Sequence, residues 1–405
     1  MLYLILIILI AGFLFDLILD YLNIKNWSAH VPDLLKDVYS EDKYVKAKDY
    51  ALANYRFSKI QSFLTLAIIL LCLLTGFFGK LDEYARTVSD NPIWIAMIFF
   101  GIIVLASDLI STPFELYKTF VIEQKFGFNK TELKTFIADK LKGYFLTAII
   151  GSILLTVLVK TFEVTGNNFW WIAWLFLIAF MFITTVFYAS WILPIFNKLN
   201  PLPEGELRNA IEEYSRKNDF PLQDVFVMDG SKRSSKANAF FSGLGKKKKI
   251  VLYDTLIHAH TKDELVAVLA HETGHYKLKH TMTSFVLAVA QTGIMLFVYS
   301  LLQNNPQLAI ALGAGHSGFH LELLAFGFLY SPISGLTSLF MHILSRKNEY
   351  EADAFAKKTY SGTALINALK KLSADNLSNL TPHPAYVFFH YSHPPLLKRL
   401  EALTK

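Results

Sequence analysis

The chain has 405 residues, of which 53% are hydrophobic and only 18% charged. A composition this apolar, gathered into blocks of about 18 residues or more, excludes a purely soluble enzyme and reads as a membrane protein. The net charge of +6 comes without any nucleic-acid-binding motif, and the single cysteine, Cys72, excludes an intramolecular disulfide and a multi-cysteine zinc site.

In chain order the blocks predict seven spans, at roughly 2–19, 62–79, 93–111, 143–160, 169–192, 282–302 and 321–344. The first starts without a basic stretch and has Asp16 and Asp20 where a small-residue cleavage site would lie. It therefore reads as a retained helix rather than a signal peptide. The links alternate in basic content. Residues 20–61 carry seven Lys/Arg, 80–92 two, 112–142 six, and 161–168 and 303–320 none. Residues 193–281, with the run Lys246–Lys249, and the tail from Arg346 are basic. This alternation places the N-terminus outside and the C-terminus in the cytoplasm. Asp16 and Asp108, inside spans, would be costly in lipid and read as facing a polar interior.

Four regions follow. Residues 1–192 hold spans one to five with their loops, 193–281 a water-facing α/β segment, 282–344 spans six and seven, and 345–405 a C-terminal helical segment. In the second region Leu207–Lys217 reads as an exposed helix, and Asp224–Met228 and Lys249–Tyr253 alternate like strands. No internal repeat or low-complexity linker is present.

The chemistry concentrates in Thr261–His280, TKDELVAVLAHETGHYKLKH. His271, Glu272 and His275 form H-E-x-x-H, which on a helix turns both imidazoles to one face, each within about 2.0–2.1 Å of a shared zinc ion. Zinc lowers the pKa of a bound water to about 7, so Glu272, projecting beside the metal, can take its proton as general base. A catalytic site needs a third ligand and an open position. The best candidate lies after the seventh span, in Ser345–Ala356, SRKNEYEADAFA, where Glu349 and Asp353 share a helical face. Glu349 reads as the ligand and Asp353 as the acceptor that fixes a ligand histidine. The plainer alternative is a solvated acidic face balancing Arg346 and Lys347. Glu351, about 200° round the helix from Glu349, reads as structural. The charged flanks Lys262, Asp263, Glu264, Lys277 and Lys279 keep the zinc helix out of lipid and set the site at the cytoplasmic membrane boundary. His316 and His320, four apart at the start of the last span, form a weaker candidate pair whose commoner use is a polar role at the membrane edge. His258, His260, His280, His383 and His390 have no ligand spacing.

Several stretches together resemble the type I CAAX prenyl endoproteases, a family of multi-spanning zinc peptidases. They are Phe126–Asn129 (FGFN), Pro194–Asn197 (PIFN), Ser234–Phe240 (SSKANAF), Ile250–Thr255 (IVLYDT), the zinc helix, Glu349–Ala356 (EYEADAFA) and Tyr391–Leu400 (YSHPPLLKRL). The resemblance covers nearly the whole chain. It implies seven helices enclosing a hydrated chamber, with a small α+β zinc protease domain at the cytoplasmic side. It implies that Ala237, Asn238 and Ala239 form an edge strand pairing with the substrate backbone, a mode that tolerates varied side chains. It also implies that His393 and Arg399 bind substrate carbonyls and support the oxyanion, a role that suits a His and a cationic Arg beside zinc. Read from the residues alone, His393 is a loop histidine beside Pro394 and Pro395, and Arg399 a surface charge. No endoplasmic-reticulum retrieval signal is read in Leu400–Lys405, which leaves the cell type and membrane open, endoplasmic reticulum or plasma membrane.

The expected activity is therefore that of an integral membrane zinc endopeptidase, one Zn²⁺ per monomer, cutting extended peptides that carry or lack a prenyl group. The rival is a membrane zinc transporter or sensor. It would need ligands at mid-membrane depth and leaves Glu272 without a task.

Overall fold

The computed structural model describes residues 1–220, 222–242 and 248–405, so Lys246 and Lys247 of the run Lys246–Lys249 lie outside the described residues. Six helical runs are long and apolar enough to cross a bilayer: Leu2–Lys25, Glu41–Leu74, Pro92–Phe126, Leu133–Phe196, His280–Ser300 and Phe319–Asp375. Helix is the conformation open to such segments because hydrocarbon offers backbone groups no partner. Many large apolar side chains along these runs point outward, among them Phe63, Leu109, Phe145 and Leu336.

The first helices are α1 (Leu2–Lys25), α2 (Glu41–Leu74), α3 (Phe77–Val88) and α4 (Pro92–Tyr117). Sequence reading carried the second span through to residue 79, but α2 stops at Leu74. Gly76 takes a left-handed φ of +64°, which turns the chain into α3. There the Gly79 amide donates to the Leu312 carbonyl at 3.0 Å. A Cβ on Gly79 would stand 2.0 Å from the Gly313 carbonyl oxygen, so this approach of two backbones requires glycine.

Helices α5 (Leu133–Thr165) and α6 (Phe169–Phe187) belong to one helical run that doubles back. Gly166 has φ +50°, and Lys142 Nζ donates to the Ile195 carbonyl at 2.8 Å. In a straight helix those residues would lie about 80 Å apart. Asp108 on α4 is met by Lys140 on α5 at 2.7 Å, which supplies the partner that a carboxylate in a span demands.

A four-stranded sheet follows, made of β1 (Leu199–Pro201), β2 (Leu222–Met228), β3 (Ala239–Ser242) and β4 (Lys248–Tyr253), with α7 (Glu206–Lys217) between the first two. The strand order is β1-β2-β4-β3, so β3 is an edge, bonded on one side to antiparallel β4. The segment leading into β3 is pinned to the helices. Arg233 grips Asp139 of α5 through Nε and Nη2 at 2.8 and 2.9 Å, and Lys236 meets Glu123 at 3.0 Å.

The remaining elements are α8 (Lys262–Lys277), α9 (His280–Ser300), α10 (Phe319–Ala356), α11 (Gly362–Asp375) and α12 (Leu396–Thr404). Leu265, Val266, Leu269 and Ala270 of α8 join Ile211, Ile250, Leu365 and Leu403 in one core cluster. That core clamps α8 between the sheet and the C-terminal helices. Helix α10 runs on for 38 residues, so Glu349 and Asp353 ride on the continuation of a membrane helix rather than on a separate element after it.

Gly79→Ala tests the backbone contact that ends α2. Forcing a methyl group against the Gly313 carbonyl is expected to cost about 1–3 kcal/mol, read as a lower melting temperature of the detergent-solubilised protein. An unchanged melting temperature would refute the close approach.

Candidate active site

Helix α8 is fixed at its start by a capping box. The Thr261 side chain accepts from the Glu264 amide, and the Glu264 carboxylate accepts from the Thr261 amide. Glu264 is also held by Lys371 of α11 at 2.7 Å. The helix therefore presents His271 and His275 at a defined angle, with their Nε2 atoms 3.2 Å apart.

Helix α10 lies against this face at unusually short range. A Cβ on Gly274 would come within 3.0 Å of Ala352 Cα and 3.1 Å of Phe355 Cβ, and Ala352 is fully buried. Small residues on both helices let the acidic stretch of α10 reach the histidines. Glu349 Oε1 lies 3.2 Å from His275 Nε2, and Glu349 Oε2 lies 3.5 Å from His271 Nε2. One ligand atom from each of His271, His275 and Glu349 falls within 4.8 Å of the others, the one such group found among the described residues. Glu349 Oε2 is buried between His271 Nε2 and the Arg399 guanidinium, whose Nη1 lies 3.2 Å away. Two imidazole nitrogens and a carboxylate oxygen converging within 4.8 Å of one another fit a divalent metal with N/O preference.

Asp353, one turn beyond Glu349, meets His271 Nδ1 through Oδ1 at 2.8 Å. Arg399 of α12 binds Asp353 in a fork, Nε to Oδ2 at 2.8 Å and Nη2 to Oδ1 at 2.6 Å, and its Nη1 lies 3.2 Å from Glu349 Oε2. Arg399 is thus a buried counter-charge for two carboxylates and not a surface residue. His393 Nε2 stands 3.4 Å from Glu349 Oε1, with its side chain 64% exposed, on the open side of the cluster.

Glu272 faces a cavity of about 350 Å³ that is also lined by Phe240, His275, His280 and Asn348. Burial pushes its carboxyl pKa upward. Phe240 belongs to edge strand β3, so the strand's open edge and the H-E-x-x-H glutamate border one space. Of the three residues expected in that strand, Ala239 opens β3. Ala237 and Asn238 precede it, Ala237 buried and Asn238 exposed, with the Asn238 carbonyl accepting from the Tyr253 amide at 3.1 Å.

Two residues set aside in the sequence stand beside the site. Lys279 adopts φ +61° between α8 and α9 and swings His280 back over His275, their Nδ1 atoms 3.0 Å apart. His280 Nε2 in turn lies 3.0 Å from Glu351 Oε2. The signal was faint, because neither has ligand spacing and the contact depends on a turn between helices. The His316–His320 pairing does not form. His320 is buried against Asp82 of α3 at 2.7 Å, and His316 is exposed.

Comparison with known proteins identifies the family. Residues 20–198 match a family model described as CAAX prenyl protease N-terminal, five membrane helices, and residues 201–405 match peptidase family M48. A CAAX prenyl protease 1 homolog of Arabidopsis thaliana is 36% identical over 395 residues, covering 95% of this chain and 93% of the relative. CAAX prenyl protease 1 of Saccharomyces cerevisiae is 32% identical, covering 97% and 93%. The crystal structure of Ste24p from S. mikatae superposes with a TM-score of 0.94 at 32% identity, over 100% of this chain and 99% of that one. The chain belongs to peptidase family M48, in its CAAX prenyl protease branch, and is a multi-pass membrane metalloendopeptidase.

Proposed function

We propose that the resident metal is zinc, one ion per monomer, held by His271, His275 and Glu349, and that Glu272 is the general base. The convergence of those three ligand atoms beside the Glu272 cavity is the observation that carries this reading. A bound zinc ion supplies a Lewis acid and a lowered water pKa. Glu272 takes a proton from the attacking water onto its carboxylate and later delivers one to the leaving amine nitrogen. Its raised pKa suits a group that must both accept and release. Asp353 accepts from His271 Nδ1 and keeps Nε2 free for the metal.

The substrate backbone lies along Ala237, Asn238 and Ala239 at the open edge of β3, which leads it past Phe240 toward Glu272. His393, on the exposed side of the cluster, donates to the carbonyl oxygen as charge develops there. Arg399 adds its positive charge from behind while clamped to Asp353 and Glu349. The substrates proposed are extended peptides, including prenylated ones, since the relatives are named CAAX prenyl proteases.

Counting the doubled-back run as two gives seven spans, and the enclosure of a chamber by them is proposed from the family resemblance. Residues 1–192 then supply spans one to five, 193–281 and 345–405 the protease segments, and 282–344 spans six and seven. The basic loops favour an outside N-terminus and a cytoplasmic site. A zinc transporter or sensor is not favoured, because the ligand atoms sit on charged helix ends and the glutamate beside them serves no transport step.

Three results test this. Glu272→Gln is expected to keep zinc content while cleavage of a peptide falls on the order of 10³-fold. Retained cleavage would remove Glu272 from the mechanism. Adding a chelator should abolish cleavage and zinc restore it, with a prenylated peptide cut faster than its unprenylated twin. Equal rates would strike the prenyl group from the substrate. Arg399→Ala leaves two buried carboxylates without their cation. It should cost about 3–5 kcal/mol in metal-free protein, seen as a lower melting temperature that added zinc partly recovers.

A further inference from the structure

The two histidines of the site are supported differently. His271 Nδ1 meets a carboxylate directly, whereas His275 Nδ1 meets the Nδ1 of another imidazole. This deepens the metal reading above and rests on it. If His275 binds a metal through Nε2, that nitrogen is bare, so the ring proton sits on Nδ1. His280 Nδ1, 3.0 Å away, must then accept, which places the proton of His280 on Nε2. Nε2 is the atom that faces Glu351 Oε2 at 3.0 Å. Each assignment forces the next, and the chain of donors ends on a carboxylate able to accept.

We propose that Glu351 and His280 form a positioning relay for His275, fixing its tautomer and ring orientation through an intervening imidazole. The geometry of the elements supports it. His280 is buried at the first position of α9, with its ring centroid 5.1 Å from that of His275 and tilted by 72°. Glu351 lies round α10 from Glu349, and this offset lets it reach α9 while Glu349 faces the metal ligands. Its side chain is 43% exposed and Lys347 Nζ is 3.6 Å from its other oxygen, so the relay opens to solvent. In metal sites such outer partners hold a ligand histidine in the basic tautomer, and their loss weakens metal affinity by about 10–100-fold.

The test uses full-length protein purified in detergent and two readouts: the zinc dissociation constant, by competition with a fluorescent chelator, and the visible absorption of the cobalt-loaded protein. His280→Ala should weaken zinc binding by about 10–100-fold and shift the cobalt bands. His280→Asn keeps an acceptor oxygen near the place of Nδ1 but not the contact to Glu351, and should bind zinc more tightly than His280→Ala, a partial rescue that a packing role alone would not produce. Glu351→Ala, at a half-exposed position where folding is little disturbed, removes the acceptor and should weaken zinc about tenfold. Wild-type affinity with unchanged cobalt bands in either His280→Ala or Glu351→Ala would overturn the relay, as would an Asn variant no better than Ala. A wild-type protein that binds neither ion would overturn the ligand set itself, which separates that failure from failure of the relay alone.

Discussion

The site depends on one helix–helix contact, in which the acidic end of α10 presses against the histidine face of α8 with Gly274 and Ala352 between them. Side chains as short as Glu and Asp can reach imidazoles on a neighbouring helix only where no bulky residue keeps the backbones apart. A methyl group at residue 274 would already meet three atoms at 3.0–3.2 Å. The glycine inside H-E-x-x-H therefore sets the geometry of this cluster as much as the histidines do. Three acidic residues within five positions then take three tasks, since Glu349 faces both Nε2 atoms, Asp353 holds His271, and Glu351 reaches His280.

That packing gathers charge that would be unfavourable without mutual compensation. Two carboxylates, a guanidinium and two imidazoles are all buried or nearly so. Isolated burial of any one would be costly, whereas breaking such a set by removing one partner leaves an uncompensated charge. Arg399 is the link that closes the set, binding Asp353 through two nitrogens and Glu349 through a third. Its position on α12, packed into the same core as α8 through Leu403, makes the C-terminal helix part of the site and not an appendage.

Local features were legible in the sequence. H-E-x-x-H needs only helical periodicity, and the Glu349–Asp353 spacing needs only the assumption of a helix, so both could be read directly. The apolar blocks located the membrane helices but not their ends, because polar stretches continue the same helices back to Glu41 and Leu133 and on to Ala356. Gly76 ends α2 early because of a contact with Gly313, some 240 residues away, that no local pattern announces. The same limit explains Arg399, whose burial follows from a partner 46 residues distant, and His280, whose neighbourhood is made by a left-handed turn at Lys279. His320 looked like half of a pair because its local neighbour was His316, while its actual partner, Asp82, comes from another helix.

Positioning groups on rigid elements holds catalytic geometry more tightly than loops do, and here the rigid elements are extensions of membrane helices. Helix α10 passes from Phe319 through an apolar stretch to Asp353 without interruption, and α9 begins at His280 and runs into the next apolar stretch. The carboxylates and the imidazole that orients His275 are thus borne on helices whose far ends are set by packing tens of ångströms away, including the buried His320–Asp82 contact at the start of α10. Any rigid tilt of α10 relative to α8 would move Glu349, Glu351 and Asp353 together and disturb both histidines at once. The membrane portion is therefore a geometric constraint on the proposed metal site, because the side chains of the cluster cannot be placed independently of the helices that carry them.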